Sequence, residues 1–388
     1  MLGRWSVALS MHEPRHAGRR PVGRGYRYRL GGAARARDAS TRLTRFVAFG
    51  GLLARSWPVG QAGAVTGRRL GVLLATVLVV GCGGHEQDGQ RAPVAKTSPQ
   101  GAPDTVDGQG GLVEIGDGRS LYLACVGSGS PTVVLEAGLG ADTHSWQDVQ
   151  PQLGRSTRIC AYDRAGIGNS IRRPGIHDAS DDVDDLQRLL DGAHLEPPYV
   201  LVGQSYGGLL IRLFAQSHPE ETAGLVLVDA KGRDQMRREL AIWPKSQAPA
   251  LRRSWARPVR DRVDLAAGDA LAGRVTSLGD TPLAVITAGT HQADSRGMPP
   301  RLARDLYGLW VTMQDELAAL SSDHVHVVAP RSDHWIQIRR FYRGNERIHG
   351  QPDVVVRAVE AVIRAARDGT HLPPCRRLFE GSAVRCRN

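Results

Sequence analysis

The stretch Tyr199–Ala215 contains the feature that most restricts how this chain can fold. A run of β-forming residues precedes Gly203-x-Ser205-x-Gly207, and an apolar run typical of a helix follows it. So short a passage from strand to helix requires a very tight turn, in which a Cβ in place of either glycine would clash. The serine is then held in a strained conformation with its hydroxyl clear of the sheet, beside the free N–H groups of a helix N-terminus. The pattern predicts that Ser205 is a nucleophile.

The net positive charge of the chain comes from its first 81 residues. The formal net charge is +11, but Met1–Gly81 carry 14 of the 50 Lys and Arg residues and only 2 of the 39 acidic ones, and the remainder carries 36 and 37. Because the remainder is nearly neutral, we expect no nucleic-acid partner. Residues 1–64 are rich in Arg, Gly and Ala without a usable hydrophobic period, which predicts a disordered or misannotated extension.

Residues 65–82 have the pattern of an export signal. Arg68 and Arg69 precede the apolar run Leu70–Gly81, which is too short to span a bilayer comfortably. The run ends in Val-Val-Gly-Cys, which is similar to the lipobox of bacterial lipoproteins. We expect lipidation of Cys82 and an extracytoplasmic protein held on the bacterial cell membrane by its lipid. The alternatives are a plain secreted protein, a short membrane anchor and a cytosolic protein.

Residues 83–111 are rich in Gly, Gln, Pro and Asp, which predicts a flexible linker. From residue 112 the pattern alternates between strands and helices. A hairpin with an Asp-Gly turn comes first, followed by apolar runs such as Thr132–Leu135 that are typical of buried parallel strands. The alternation predicts an α/β domain over residues 112–374 with a mostly parallel sheet flanked by helices, and a tail over residues 375–388.

Local signals predict further elements within this domain. Residues 145–153 are expected to be helical, and Ser180 is expected to cap a helix whose first turn contains Asp181 and Asp182. About 50 residues, 231–281, separate two strands where one helix would suffice. We interpret this segment as an inserted helical cap.

Over Leu112–Arg367 the chain resembles the α/β-hydrolase superfamily, because it contains three motifs of that superfamily in the same order. Leu135–Gly140 resembles the oxyanion loop, although Ala137 replaces the usual His. Tyr162–Ser170 matches the segment Tyr-Asp-Arg-x-Gly-x-Gly-x-Ser, and Gly203–Gly207 matches the nucleophile turn. The resemblance is strongest to bacterial secreted or lipid-anchored serine hydrolases. It implies the α/β-hydrolase fold with an inserted cap.

The resemblance also implies which histidine acts as general base. The family places it just after the last parallel strand, where His334 lies. His324 and His326 fall at or within that strand and are interpreted as structural, and His291 lies in an earlier loop.

The acid that orients this histidine has two candidates. Its usual position follows the strand over residues 283–287, commonly as Gly-x-x-Asp, but Gly289–Gln292 contain no Asp, and Asp294 comes two residues later. Asp229 ends the preceding strand, which is the other position used in the superfamily. We prefer Asp229 and keep Asp294 as the alternative, since either preserves the order Ser, Asp, His.

The oxyanion hole implied by the resemblance consists of backbone N–H groups. They belong to Tyr206, which follows the nucleophile, and to Leu139 in the earlier loop. Asp163 and Arg164 are interpreted as residues that structure their loop.

A serine at this turn indicates acyl transfer, because relatives that open epoxides or remove halides use Asp there. We therefore expect a carboxylesterase-like hydrolase acting on a small-molecule ester or related acyl substrate through an acyl-enzyme. No metal-ligand cluster or phosphate-binding loop is apparent in the sequence, so neither a metal nor another cofactor is expected. The alternatives are a peptidase of the proline-iminopeptidase type and a non-catalytic surface binding protein on the same scaffold.

Apart from Cys82, the chain has four cysteines, and they allow three pairings. In the superfamily the strands that hold Cys125 and Cys160 are neighbours, which implies a disulfide between them. Cys375 and Cys386 would then close a short loop in the tail. Buried thiols are the alternative.

Overall fold

The computed structural model of the chain describes residues 110–255, 261–290, 298–343 and 346–387. The expectations for the N-terminal extension, Cys82, the linker, His291 and Asp294 lie outside these ranges. The strands of the described part are β1 Gly111–Glu114, β2 Ser120–Val126, β3 Thr132–Glu136, β4 Ile159–Tyr162, β5 Tyr199–Gln204, β6 Thr222–Val228, β7 Leu283–Ala288, β8 His324–Ala329, β9 Arg340–Arg343, β10 Glu346–His349 and β11 Arg385–Cys386. Its helices are α1 Gln150–Leu153, α2 Ala179–Gly192, α3 Tyr206–Ser217, α4 Gln235–Ile242, α5 Ala248–Trp255, α6 Leu265–Ala272, α7 Pro300–Ala318, α8 Pro352–Asp368 and α9 Cys375–Leu378. Within these residues, no helix combines the length and the apolar character needed to cross a membrane.

Nine of the described strands form a single sheet in the order β1-β2-β4-β3-β5-β6-β7-β8-β11. The pairs from β4 through β3, β5, β6 and β7 to β8 are parallel, and those of β1 with β2, β2 with β4 and β8 with β11 are antiparallel. The predicted α/β architecture with a mostly parallel sheet and an opening antiparallel hairpin is confirmed. The carboxyl ends of β5 to β8 lie at one edge of the sheet, where residues that follow these strands can meet.

Apolar side chains cover both faces of the sheet. On β5, Leu201 packs in the cluster that includes α2 and α3, whereas Val200 and Val202 pack in the cluster that includes α8. Successive side chains of a strand point to opposite faces, so a continuous apolar run is what a strand buried on both sides requires.

Two local predictions differ from the structure. Helix α2 is capped by Asp178 rather than Ser180, because Asp178 has the extended backbone of an N-cap and its carboxylate accepts from the N–H groups of Ser180 and Asp181. The helix predicted over residues 145–153 is divided into a 3₁₀ turn, Thr143–Trp146, and the short α1. Pro151 contributes to this break because it has no N–H to continue a helix from the preceding turn.

The residues predicted to form a tail contribute to the sheet. Helix α9 follows α8, and β11 pairs with β8 through Arg385–Val328 and Cys386–Val327. The side chains of Leu378 and Phe379 are buried against the core. In addition, β9 and β10 form a separate antiparallel hairpin that the sequence analysis did not predict.

Both implied cysteine pairs are disulfides in the structure. Cys125 and Cys160 are bonded, and these residues lie opposite each other on the neighbouring strands β2 and β4. Cys375 is bonded to Cys386, which links α9 to β11.

The segment between β6 and β7, over residues 231–281, contains α4, α5 and α6. Helix α6 packs against α2 and α3, and α4 packs against α6 and α7. The segment is therefore helical where it is described, and it is attached to the helical layer on one face of the sheet.

The turn between β5 and α3 brings backbone segments into direct contact. A Cβ on Gly203 would lie 2.5 Å from the carbonyl oxygen of Gly207. A Cβ on Gly207 would lie 2.3 Å from the carbonyl oxygen of Glu136 and 2.7 Å from that of Ala137. Both glycines of the motif are thus required by close approach of the backbone, as the sequence predicted.

We expect Gly207→Ala to lower the free energy of unfolding by about 3 kcal/mol, because the added methyl group overlaps two backbone carbonyls that cannot move as a side chain can. Urea unfolding monitored by circular dichroism measures this loss.

Gly308→Ala is the matched control. Gly308 is exposed within α7, and no atom that its Cβ would meet lies within 4 Å. This variant should be more stable by about 1 kcal/mol, since alanine is the better helix former. Equal effects of the two substitutions would contradict the packing argument at Gly207.

Candidate active site

Ser205 lies at the turn after β5 with an unusual backbone conformation. Its φ is 54° and its ψ is −116°, so it has a positive φ without being glycine. The turn is held by hydrogen bonds from the Ser205 N–H to the carbonyl of Val228 (3.1 Å) and from the Lys231 N–H to the carbonyl of Ser205 (2.9 Å). The serine is therefore fixed against the end of β6, in the strained geometry that the motif predicts.

His334 and Asp229 are in direct contact. The Nδ1 atom of His334 lies 2.7 Å from Oδ2 of Asp229. His334 is in the loop after β8, and its carbonyl accepts a hydrogen bond of 3.0 Å from the side-chain amide of Gln204, the residue before the candidate nucleophile. Asp229 directly follows β6, and its N–H donates to the carbonyl of Ile286 (2.7 Å). The structure thus brings the histidine and the preferred carboxylate together beside the turn at Ser205.

The second carboxylate oxygen of Asp229 is also fully engaged. Oδ1 accepts from the N–H of Ala288 (2.9 Å) and from the indole Nε1 of Trp310 on α7 (2.8 Å). Burial alone would raise the pKa of Asp229, but the hydrogen bonds from His334, Ala288 and Trp310, with the charge on His334, outweigh it and hold the pKa below its ordinary value. Asp229 is therefore held as a carboxylate that can orient the imidazole.

His326 has a different environment from His334. It is buried on β8, with Nε2 2.7 Å from Oγ1 of Thr287 and Nδ1 2.9 Å from a carboxylate oxygen of Asp315. Burial lowers the pKa of His326 to about 4, even though Asp315 favours the charged form. A neutral imidazole bonded on both sides within the fold agrees with the structural role predicted for it.

The loop predicted to supply one oxyanion donor adjoins the serine. A Cβ built on Gly138 would lie 3.4 Å from the Cβ of Ser205 and 2.2 Å from Oε1 of Gln204. Leu139 follows in this loop, and Tyr206 is the first residue of α3. The two residues predicted to donate from their backbone N–H groups therefore belong to segments that meet at Ser205.

Arg164 and Asp163 hold the loops around this point. The guanidinium of Arg164 donates to the carbonyls of Ala137 (2.5 Å) and Gly138 (2.6 Å). The carboxylate of Asp163 accepts from the N–H groups of Thr143 (2.8 Å) and Asn169 (2.9 Å). Both residues structure their surroundings as predicted, and Arg164 acts directly on the oxyanion loop.

Sequence reasoning missed Trp310 as a part of the site. Its only signal is its place in the amphipathic pattern of α7, which any core residue would share. Asp229 and Trp310 are 81 residues apart. No local motif connects them, and their contact follows from how α7 packs beside β7.

The comparison with protein families matches residues 131–253 to the family described as alpha/beta hydrolase fold. Curated relatives include an uncharacterized protein, YqjL, of Bacillus subtilis, which is 36% identical over 103 residues, 26% of this chain and 41% of that protein. They also include the 2-hydroxy-6-oxo-2,4-heptadienoate hydrolase of Pseudomonas putida, which is 35% identical over 130 residues, 33% of this chain and 47% of that protein. The chain thus spans less than half the length of either relative.

Solved structures with a similar shape include a thermophilic esterase from Thermogutta terrifontis. It is 19% identical, with a TM-score of 0.46, and the alignment covers 66% of this chain and 99% of the esterase. Identities of this size give no information on substrate.

The order of the parallel strands, the strained serine after β5 and the family match over residues 131–253 lead to one assignment. The described part of this chain has the α/β-hydrolase fold.

Proposed function

We propose that this chain is a serine hydrolase that cleaves an ester-type bond through an acyl-enzyme. The contact between His334 and Asp229, next to a serine held in a strained turn, carries the proposal. A serine hydroxyl is unreactive at neutral pH unless a base accepts its proton, and these three residues provide a nucleophile, a base and an orienting carboxylate.

In the acylation step, Oγ of Ser205 attacks the carbonyl carbon of the ester while Nε2 of His334 accepts the hydroxyl proton. Asp229 holds Nδ1–H and stabilises the imidazolium that forms. The carbonyl oxygen becomes an oxyanion, which the backbone N–H groups of Tyr206 and Leu139 stabilise. Collapse of the tetrahedral intermediate breaks the ester C–O bond, and the departing alkoxide takes the proton from His334.

Deacylation repeats this sequence with water as the nucleophile. His334 accepts a proton from water as its oxygen attacks the acyl carbon, and returns the proton to Oγ of Ser205 when the acid leaves. Since Asp229 keeps a lowered pKa, the same carboxylate supports both halves of the reaction.

The names of relatives support hydrolytic chemistry at this site. The family match is to a hydrolase fold, and the partly aligned relative from Pseudomonas putida is named as a hydrolase of 2-hydroxy-6-oxo-2,4-heptadienoate. They support hydrolysis as the reaction, and a small-molecule acyl compound is the substrate class that we propose.

We further propose that the protein acts outside the cytoplasm, anchored by a lipid on Cys82. Support comes from the basic and apolar run that ends at this residue and from two disulfides in the folded domain, which oxidising compartments favour.

Metabolic labelling with an alkyne fatty acid should mark the wild type and not Cys82→Ala. Equal labelling of both would exclude Cys82 as the lipid attachment site.

We expect a fluorophosphonate probe to label the purified wild-type domain and not Ser205→Ala, because the probe reacts with a serine only when a base activates it. Labelling is measured by gel fluorescence. Thermal unfolding should show that the variant is folded, so that loss of labelling reports on the nucleophile alone. Labelling that persists in Ser205→Ala would assign the reactive group elsewhere.

Trp310→Phe should lower kcat for an ester about tenfold and leave KM nearly unchanged, because it removes a donor to Asp229 without removing a group that contacts substrate. Steady-state kinetics with p-nitrophenyl esters measure the split.

Trp146→Phe is the matched control for this change. Trp146 is also buried, but in the described residues its indole N–H has no hydrogen-bond partner. The same substitution there should lower stability and keep kcat within twofold. If the two variants lose kcat equally, the hydrogen bond to Asp229 has no role of its own.

A further inference from the structure

Asp261 belongs to the segment inserted between β6 and β7, yet its carboxylate is buried against the oxyanion loop. Oδ2 of Asp261 accepts from the N–H of Gly140 (3.0 Å) and from Nη2 of Arg164 (2.8 Å). The side chain of Asp261 is 1% exposed. A buried carboxylate requires such partners, so the inserted segment and the oxyanion loop are joined through charged groups.

Arg164 holds the same loop through residues that precede Gly140. Its guanidinium donates to the carbonyls of Ala137 and Gly138, and it pairs with Glu136 at 2.6 Å. In a trans peptide the C=O and N–H groups point in opposite directions. Because the carbonyl of Gly138 faces Arg164, the N–H of Leu139 in the same peptide unit faces away from it.

The loop is therefore fixed on both sides of the peptide that carries the Leu139 N–H. The Arg164 guanidinium holds the carbonyls of Ala137 and Gly138, which precede the Leu139 N–H. The Asp261 carboxylate holds the N–H of Gly140, which follows it. The two anchors also bond to each other, since Arg164 and Asp261 form an ion pair. A change at Asp261 thus acts on both anchors at once.

Glu136 is the other buried carboxylate that pairs with Arg164. Burial raises the pKa of Glu136 to about 7, although Arg164 and a hydrogen bond from Tyr162 favour the charged form. Asp261, 2.8 Å from the guanidinium of Arg164, is a second source of negative charge beside this cation.

From this geometry we propose that Asp261 is a positioning residue that sets the oxyanion hole. The inserted segment, once docked, aligns the Leu139 N–H by holding Gly140 directly and Ala137 and Gly138 through Arg164. This inference rests on the proposed function, because the alignment matters for catalysis only if Leu139 donates to an oxyanion.

The test compares Asp261→Asn with Asp185→Asn. Asparagine keeps the shape of the side chain at position 261 and removes the charge that pairs with Arg164. Asp185 is the matched control because it is buried and accepts two hydrogen bonds from Arg119 (2.6 and 2.7 Å), in an ion pair that does not include the oxyanion loop.

We expect Asp261→Asn to lower kcat for a p-nitrophenyl ester about 30-fold with KM within twofold, since loss of one oxyanion donor typically reduces kcat about 10²–10³-fold and misalignment should cost less. Asp185→Asn should lower the unfolding temperature and keep kcat within twofold. Asp261→Glu, which restores the charge, should recover part of the lost kcat.

Amide hydrogen exchange supplies a readout that does not depend on turnover. Exchange in residues 137–141, followed by mass spectrometry of the full-length protein, should be at least tenfold faster in Asp261→Asn and unchanged in Asp185→Asn. Equal behaviour of the two variants in kcat and in exchange would overturn the inference. A wild type that neither labels with the fluorophosphonate nor turns over esters would overturn the proposed function, and the exchange comparison would still decide whether Asp261 holds the loop.

Discussion

The contact between the serine turn and the end of β3 is the constraint on which the rest of the site depends. Gly207 lies against the carbonyls of Glu136 and Ala137 with no room for a side chain between them. Backbone contact therefore sets the separation between Ser205 and the oxyanion loop, and it can vary little because protein interiors are close-packed. The carbonyls of Ala137 and Gly138 face Arg164, and the loop that follows is shaped by that cation.

Two buried charges near this contact are stabilised in different ways. Asp229 is bonded by an imidazole, an indole N–H and a backbone N–H, and among these three partners in the described residues His334 alone can carry a positive charge. Arg164 instead shares its charge with two carboxylates and two carbonyls. The energy of the first arrangement changes when His334 gains a proton, which suits a group that supports proton transfer. In the second arrangement the opposite charges lie within the network itself, so its energy does not depend on a proton at His334.

The parts of the structure that sequence could predict are those specified by neighbouring residues. The turn at Ser205, the apolar strands and the positions of Asp229 and His334 after β6 and β8 follow from short patterns and from the parallel order of strands. The N-cap of α2 is not among them, because Asp178 and Ser180 are both good caps and only backbone conformation distinguishes them.

Contacts between distant segments were beyond the sequence patterns. Trp310 reaches Asp229 across 81 residues, and Asp261 reaches Gly140 across 121. Each depends on how a helix or an inserted segment packs against the sheet, and the hydrophobic period of one sequence does not determine that packing. The same reason applies to β11, which pairs with β8 although α8 and α9 separate the two strands in the sequence.

The two disulfides lie near the margins of the sheet and not at its centre. One ties β2 to β4 near the first edge, and the other ties α9 to β11 at the last strand, with loops of 35 and 11 residues. Closing loops of these lengths stabilises a fold by about 3–4 kcal/mol each in the chain-entropy description. The strands β5 and β6, which precede Ser205 and Asp229, and β7, which ends at Ala288, carry no such bond. Reduction would therefore loosen the margins of the sheet first, and the redox state of the surroundings would change the stability of the fold more than the arrangement of Ser205, Asp229 and His334.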